Sequence, residues 1–281
     1  MNLRFWGVRG SIPTPEANRL RYGGNTACLE IGPAGEEEAV IIDCGSGLRA
    51  LGEEVARRSV ERVHILLTHF HWDHIQGLPS FAPLFQSGVK IVFYANRPAD
   101  EVRSLLGVLM ADPFFPVPFA EIGAQAKFHH VECGQPFQAG MFKVEAFPLY
   151  HPQGAVGFRV ESDGEVLVHA SDHEYGMRNI DEGLIRAAKN ADLLVMDAQY
   201  TPEEYARKVG WGHSSYAHAA QVAKSADVNR LLLFHHDPAH NDAFLDGMLA
   251  DAKALFSGTG MATEGKVLAV AQSVEAAPAA Q

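Results

Sequence analysis

The run Thr68-His69-Phe70-His71-Trp72-Asp73-His74 constrains this chain more than any other stretch. It places three imidazoles and a carboxylate within six residues, directly after the apolar segment 63–67. A strand that ends there lets the following loop turn alternate side chains to one side, so His69 and His71 share a space. Asp73 and His74, opening the next helix, turn toward the same space. With 14 histidines in 281 residues, chance would supply this pattern only about 0.002 times. Nitrogen and oxygen donors in such a cluster suit a first-row divalent metal. A purely structural zinc site is the alternative reading. Such sites usually close on four ligands, often cysteines, and this chain offers more His and Asp than closure needs.

Around the motif, short β-branched runs at 27–31, 39–42, 63–67 and 89–94 read as strands, and 48–58 and 99–110 carry helical spacing. After Cys133-Gly134, strand-like runs recur at 142–147, 156–160, 166–170 and 193–196. A helix at 216–225 then leads into a strand at 230–234. Two halves of strands followed by helices predict two stacked sheets with helices outside, a four-layered αββα sandwich of the α/β class. A hydrophobic content of 47% is enough to fill it. The expected organisation is one domain over 1–273, with an Ala-rich, frayed tail at 274–281. Cys28, Cys44 and Cys133 are too few and too scattered for a disulfide framework and read as thiols in a reducing compartment. The N-terminus lacks the apolar core of a leader, and no apolar run is long enough to span a bilayer. The cytoplasm is the expected location, with no membrane partner. The net charge of −11 and the absence of a Lys/Arg run argue against a nucleic-acid polymer as partner.

His69, His71, Asp73 and His74 reproduce the His-x-His-x-Asp-His signature of the metallo-β-lactamase superfamily, which the chain resembles along nearly its whole length. The resemblance implies that His151, after the strand 142–147, completes the ligands of a first metal. It makes Asp172 the bridging carboxylate, Asp73 both a ligand and a catalytic group, and His235 the last ligand of a second metal. His236 stands one residue along as the rival, and alternation allows only one of the two to face the metals. True β-lactamases resemble the chain less, because they carry a Cys where Asp172 stands. The implied cofactor is a pair of divalent ions, zinc by default, with manganese or iron also suited to an all-N/O ligand set.

Gly212-His213-Ser214-Ser215 and Met196-Asp197-Ala198-Gln199 resemble the His-Ser-Thr loop and acidic motif of the ribonuclease Z branch. The match makes His213 a proton donor to the leaving alkoxide and Asp197 its orienting acid. The alternatives are a His213 that caps the following helix and an Asp197 that supports a ligand histidine. The opening, Phe5 to Pro13, resembles phosphodiesterase-like members of this branch, with Arg9 as an anion-binding residue. Asp43 resembles the family's structural acid and is assigned no chemistry.

Ribonuclease Z carries its tRNA-grasping arm between the third metal His and the bridging Asp. Here His151 and Asp172 are too close in sequence to hold one. The expected substrate is therefore a small phosphodiester, by resemblance a cyclic nucleotide such as 3′,5′-cyclic AMP. The alternatives are a ribonuclease Z-like endonuclease, a glyoxalase II-like thioester hydrolase, an iron oxidoreductase of the superfamily, and a metal-stabilised interaction protein without turnover. The aromatic, Pro-stiffened segment 110–119 reads as a pocket wall, a base-stacking surface or a contact within a homodimer.

Overall fold

The strands that read as apolar runs do so because both of their faces are covered. A computed structural model describes residues 1–33 and 37–271; the tail at 274–281 lies outside the described residues. In chain order the strands are β1 (Asn2–Gly7), β2 (Cys28–Gly32), β3 (Glu38–Ile42), β4 (Arg62–Leu67), β5 (Lys90–Ala95), β6 (Gln125–His130) and β7 (Pro136–Ala139). They continue with β8 (Phe142–Leu149), β9 (Ala155–Ser162), β10 (Glu165–Ala170), β11 (Leu193–Asp197), β12 (Arg230–Phe234), β13 (Thr259–Met261) and β14 (Val267–Ala269). Two seven-stranded sheets result, ordered β14-β1-β2-β3-β4-β5-β6 and β13-β12-β11-β10-β9-β8-β7. β3 to β6 pair in parallel, as do β10 to β13, while β7 to β10 form an antiparallel meander.

The pleat sorts each strand between two cores. Val40 and Ile42 of β3 point inward with Leu29, Leu66, Phe158, Val195 and Phe234, filling the space between the sheets. Ala39 and Ile41 point outward to Leu48, Leu51 and Val55 of α1 (Leu48–Arg57) and to Val102 and Leu106 of α3 (Ala99–Leu109). On the far side, Val168, Leu194 and Leu233 pack against α4 (Arg178–Ala187), α6 (Tyr216–Ser225) and α7 (Asp242–Leu255). Among the described residues the two remaining α-helices are single turns, α2 (Trp72–Ile75) and α5 (Pro202–Tyr205). This is the expected αββα sandwich. Among the described residues no helix is long and apolar enough to cross a membrane.

The carboxyl ends of β3, β4, β8, β10, β11 and β12 all reach the same edge of the sandwich, where α/β sheets generally hold ligands. The sheets are tied together there. The stretch following β1 bridges both, with Arg9 paired to Thr26 on one side and His236 on the other. The segment 110–119 differs from its reading as a pocket wall. Phe119 is buried against Phe93 and Phe128, and Phe115 packs on the same outer core, leaving Phe114 exposed.

Candidate metal centre

Five histidines at this edge point one ring nitrogen at a common centre and tie the other to an acceptor. His74 Nδ1 lies 2.8 Å from Asp43 Oδ2, and His151 Nδ1 lies 2.7 Å from the Gly212 carbonyl. His235 Nδ1 meets Gln199 Oε1 at 3.0 Å, His69 Nδ1 meets Thr68 Oγ1 at 3.1 Å, and His71 Nε2 meets Gln153 Oε1 at 2.7 Å. Assigning the protons to these outer nitrogens satisfies every acceptor. The inner nitrogens are then bare lone pairs, the tautomer a metal ligand requires.

The inner atoms fall into two groups, His69, His71 and His151 in one and Asp73, His74 and His235 in the other. Asp172 stands between them. Its Oδ1 lies 3.7 Å from His151 Nε2 and 3.8 Å from His69 Nε2, while its Oδ2 lies 3.1 Å from His74 Nε2 and 3.4 Å from His235 Nε2. One carboxylate thus offers an oxygen to each group. Lone pairs face one another at 3.0 Å between His71 Nδ1 and His151 Nε2, and at 3.2 Å between His74 Nε2 and His235 Nε2. Such pairs repel unless a cation lies between them. His69 Nε2 is buried and has no hydrogen-bond partner at all, a cost that a metal ligand would not bear. The residues present therefore fit a dinuclear metal centre.

The electrostatics agree for two of the five histidines; burial would lower His74 too, but the charges of Asp172, Asp73 and Asp43 hold it well above the ordinary imidazole pKa, marking a place for positive charge. Burial, with His74 close by, holds His69 well below the ordinary imidazole pKa, and burial lowers His151 as well, so both stay unprotonated. Burial alone would raise the Asp172 carboxyl, but the imidazoles of His235, His74 and His69 hold it well below the carboxylate range. Asp73 is lowered in the same way, against burial, by His74 and His235. Its Oδ2 also accepts from the Ser11 backbone N–H at 2.7 Å.

His213 completes the rim. Its Nδ1 lies 2.7 Å from Asp197 Oδ2, and its ring stacks on His235. Burial would lower its pKa, but the Asp197 charge and hydrogen bond push it up to about 9. The helix-capping alternative does not hold, since Ser215 caps α6 by accepting from His218 N. Asp197 also receives the backbone N–H groups of Ser214 at 3.0 Å and Asp172 at 3.2 Å, so it braces both the loop and the central carboxylate.

Of the residues expected here, the structure brings together His69, His71, Asp73, His74, His151, Asp172, His235, His213 and Asp197. His236 is turned away, its Nε2 bonded to the Ala262 carbonyl. Arg9 corrects an expectation. Its guanidinium is fully buried and commits four of its five N–H groups to the carbonyls of Gly23, Asp237, His240 and Arg19, so it presents no surface to an anion arriving from solvent. Asp43 proves to be the acid that orients His74. Gln153, Gln199 and the Gly212 carbonyl carry no signal as isolated letters, though Gln199 lies in the acidic motif and Gly212 beside His213.

The β-lactamase superfamily domain model matches residues 38–236, a span that runs from β3 through His235, and the chain belongs to that family. Its relatives place it in the ribonuclease Z-like branch. Ribonuclease Z of Picosynechococcus sp. is 26% identical over 315 aligned residues, covering 94% of this chain and 95% of that one. Among solved structures, the metallo-β-lactamase fold protein YhfI from Bacillus subtilis superposes with a TM-score of 0.74 at 22% identity, covering 95% of this chain and 98% of that one. A diphosphatase of the PhnP family does so with a TM-score of 0.69 at 19% identity, covering 95% and 97%. At these identities the structural likeness speaks for the fold.

Two expectations follow. Elemental analysis of purified, metal-saturated protein should give close to two ions per chain, and Asp172→Ala should lower that number; one ion, unchanged by the substitution, would contradict the dinuclear arrangement. Arg9→Gln should cost roughly 1–3 kcal/mol for each carbonyl it leaves unpaired, seen as a lower urea midpoint. At a temperature where the variant is folded, its KM should stay that of the unaltered protein; a raised KM would return Arg9 to substrate binding.

Proposed function

We propose that this metal-dependent hydrolase cleaves a small phosphodiester, a cyclic nucleotide such as 3′,5′-cyclic AMP, with zinc as the first choice of metal and manganese or iron as alternatives. His69, His71 and His151 would hold one ion, Asp73, His74 and His235 the other, and Asp172 both. Two such ions, when bound, lower the pKa of a shared water and neutralise charge on the phosphoryl oxygens. The observation that carries the reading is the His213–Asp197 pair at 2.7 Å beside that centre. A thioester hydrolase has no need of it, because a thiolate leaves without protonation. A ribose alkoxide does need a proton.

Asp197 accepts from His213 Nδ1, which fixes the ring and leaves Nε2 as the donor toward the reacting phosphate. With a pKa pushed up to about 9, the ring carries its proton at neutral pH. A cleft of about 430 Å³ borders the centre at His69, with Phe70, Asn96, Arg97 and Gln153 in its wall and His213 outside it.

A small substrate is supported by the chain between His151 and Asp172, which forms only the β9–β10 hairpin, turning at Asp163 and Gly164. The alignment with ribonuclease Z runs to 315 positions, more than the 281 residues of this chain, so that relative carries segments absent here. A ribonuclease Z-type endonuclease is the second reading, favoured by the near full-length coverage of that relative. Metal-reconstituted protein assayed on cyclic nucleotides, a nitrophenyl phosphodiester, precursor tRNA and a thioester separates them. Faster turnover of precursor tRNA than of any small diester would overturn the first reading, and turnover of the thioester alone would overturn both.

His213→Ala should leave both metals bound and slow release of a ribose alkoxide by roughly 10²–10⁴-fold. A diester releasing nitrophenolate, which leaves with little protonation, should be far less affected. Equal losses on the two would make His213 a substrate-positioning group.

A further inference from the structure

Two residues beyond Asp172 lies a buried carboxylate that neither the family signature nor the proposed chemistry uses. Glu174 is 4% exposed, and no Lys or Arg lies within ion-pair distance of it among the described residues. Its partners are backbone and phenol. Oε1 accepts from Gly210 N–H at 2.6 Å and Oε2 from Gly212 N–H at 2.7 Å, while Tyr205 Oη lies 3.4 Å from Oε1. Its own N–H donates to the Tyr150 carbonyl at 2.8 Å. Glu174 therefore touches the segment that precedes His151, follows Asp172 directly, and grips the loop 208–213 that carries His213.

That grip has a chemical consequence through Gly212. The residue has a φ of +88°, and a Cβ there would lie 2.3 Å from His151 Nδ1, so the peptide can approach the imidazole only as glycine. Its N–H goes to Glu174 and its carbonyl to His151 Nδ1 at 2.7 Å. The next residue is His213. On the other side of His213, Asp197 holds the Ser214 N–H and the His213 ring. The loop is thus clamped between two buried carboxylates, and moving the Glu174 end displaces the carbonyl behind His151 and the backbone of His213 together.

We infer that Glu174 is a positioning residue that sets the His213 ring and the His151 tautomer at once, through the Gly210 and Gly212 amides. Only a carboxylate can do this. It presents acceptors to two N–H groups on either side of Trp211, whereas the amide of Gln would turn an N–H donor against one of them. The kinetic part of this inference rests on His213 acting at the leaving group, as proposed above; the loop geometry does not.

The test uses the full-length, metal-loaded protein. Glu174→Gln should lose roughly 10–100-fold in kcat, the usual scale for a group that orients a metal-site residue, on a diester releasing a ribose alkoxide. The loss should be several-fold smaller on a diester releasing nitrophenolate, and KM should hold. Trypsin should cut after Arg207 or Lys208 faster than in the unaltered protein, by more than the lowered thermal midpoint expected from one unpaired buried amide accounts for. Glu174→Asp, which keeps the charge but reaches only one amide, should fall between the two, and it carries the test if Glu174→Gln does not fold. Equal losses on both diesters that track a lowered thermal midpoint would overturn the inference and leave Glu174 a stability residue. So would unchanged kcat with unchanged resistance to trypsin. If the unaltered protein cleaves no phosphodiester, the substrate assignment falls, and faster tryptic cutting together with a shifted His151 imidazole resonance decides for Glu174, their absence against it.

Discussion

A single buried carboxylate, Asp172, sets the terms for the rest of the site. It is 1% exposed and presents one oxygen to each histidine group. A lone charge at such a depth would cost several kcal/mol, so the surrounding groups must compensate it or the edge of the sandwich could not close. They do so in layers. The imidazole lone pairs beside the carboxylate would hold the cations that compensate it, and each imidazole is in turn held from behind by Asp43, Gln153, Gln199, Thr68 or a carbonyl. The Asp172 N–H itself is held by Asp197 at 3.2 Å, the same residue that orients His213. Removing any of these acceptors would free a ring to flip and turn its protonated nitrogen toward the centre.

The layers converge because of where the strands end. β3 and β4 belong to one sheet and β8, β10, β11 and β12 to the other, yet all deliver their carboxyl ends to one edge. Three residues there, Asp43, Asp172 and His235, have φ of +61°, +61° and +62°. Left-handed backbone at a non-glycine residue costs of order 1–3 kcal/mol and persists only where the surroundings over-determine it. Each of the three is over-determined by bonds across the site. Asp43 is held by Thr68 and His74, Asp172 by Ser171 and Asp197, and His235 by Gln199. The turn carries Asp172 and His235 into the centre and Asp43 to the back of His74.

Much of this was legible in the letters, and the reason is physical. Strands covered on both faces are written as unbroken apolar runs, so β3, β4, β10, β11 and β12 stand out, and a histidine or acid just past such a run is conspicuous. The edge strand β6 alternates partly buried and exposed residues and carries two histidines, so it does not stand out. α7 gives Leu245, Met248 and Ala252 to the core, but Gly247 and three aspartates dilute the pattern. Arg9 was misread because charge is visible in a sequence and the destination of a guanidinium is not. Its four carbonyl partners lie in segments from residue 19 to residue 240, and only the folded chain assembles them. Gln153, Gln199 and Gly212 escape for the same reason, since each acts on a histidine at least 36 positions away.

With Arg9 withdrawn from substrate binding, the cations near the cleft can be followed one by one. Lys208 is paired with Asp237 at 3.1 Å, and the Arg97 guanidinium is shared between Glu101 and the Gln153 carbonyl. On a chain of net charge −11, these side chains leave little positive surface from which a polyanion could release counterions. The attraction for an anionic substrate then has to come from the metal centre, whose field is short-ranged at physiological ionic strength, decaying over about 8 Å. Under the proposed function such a field would hold the one phosphate being attacked, with little reach along a nucleic-acid backbone. For the proposed function, electrostatics and the short β9–β10 hairpin are two independent arguments that favour a small diester.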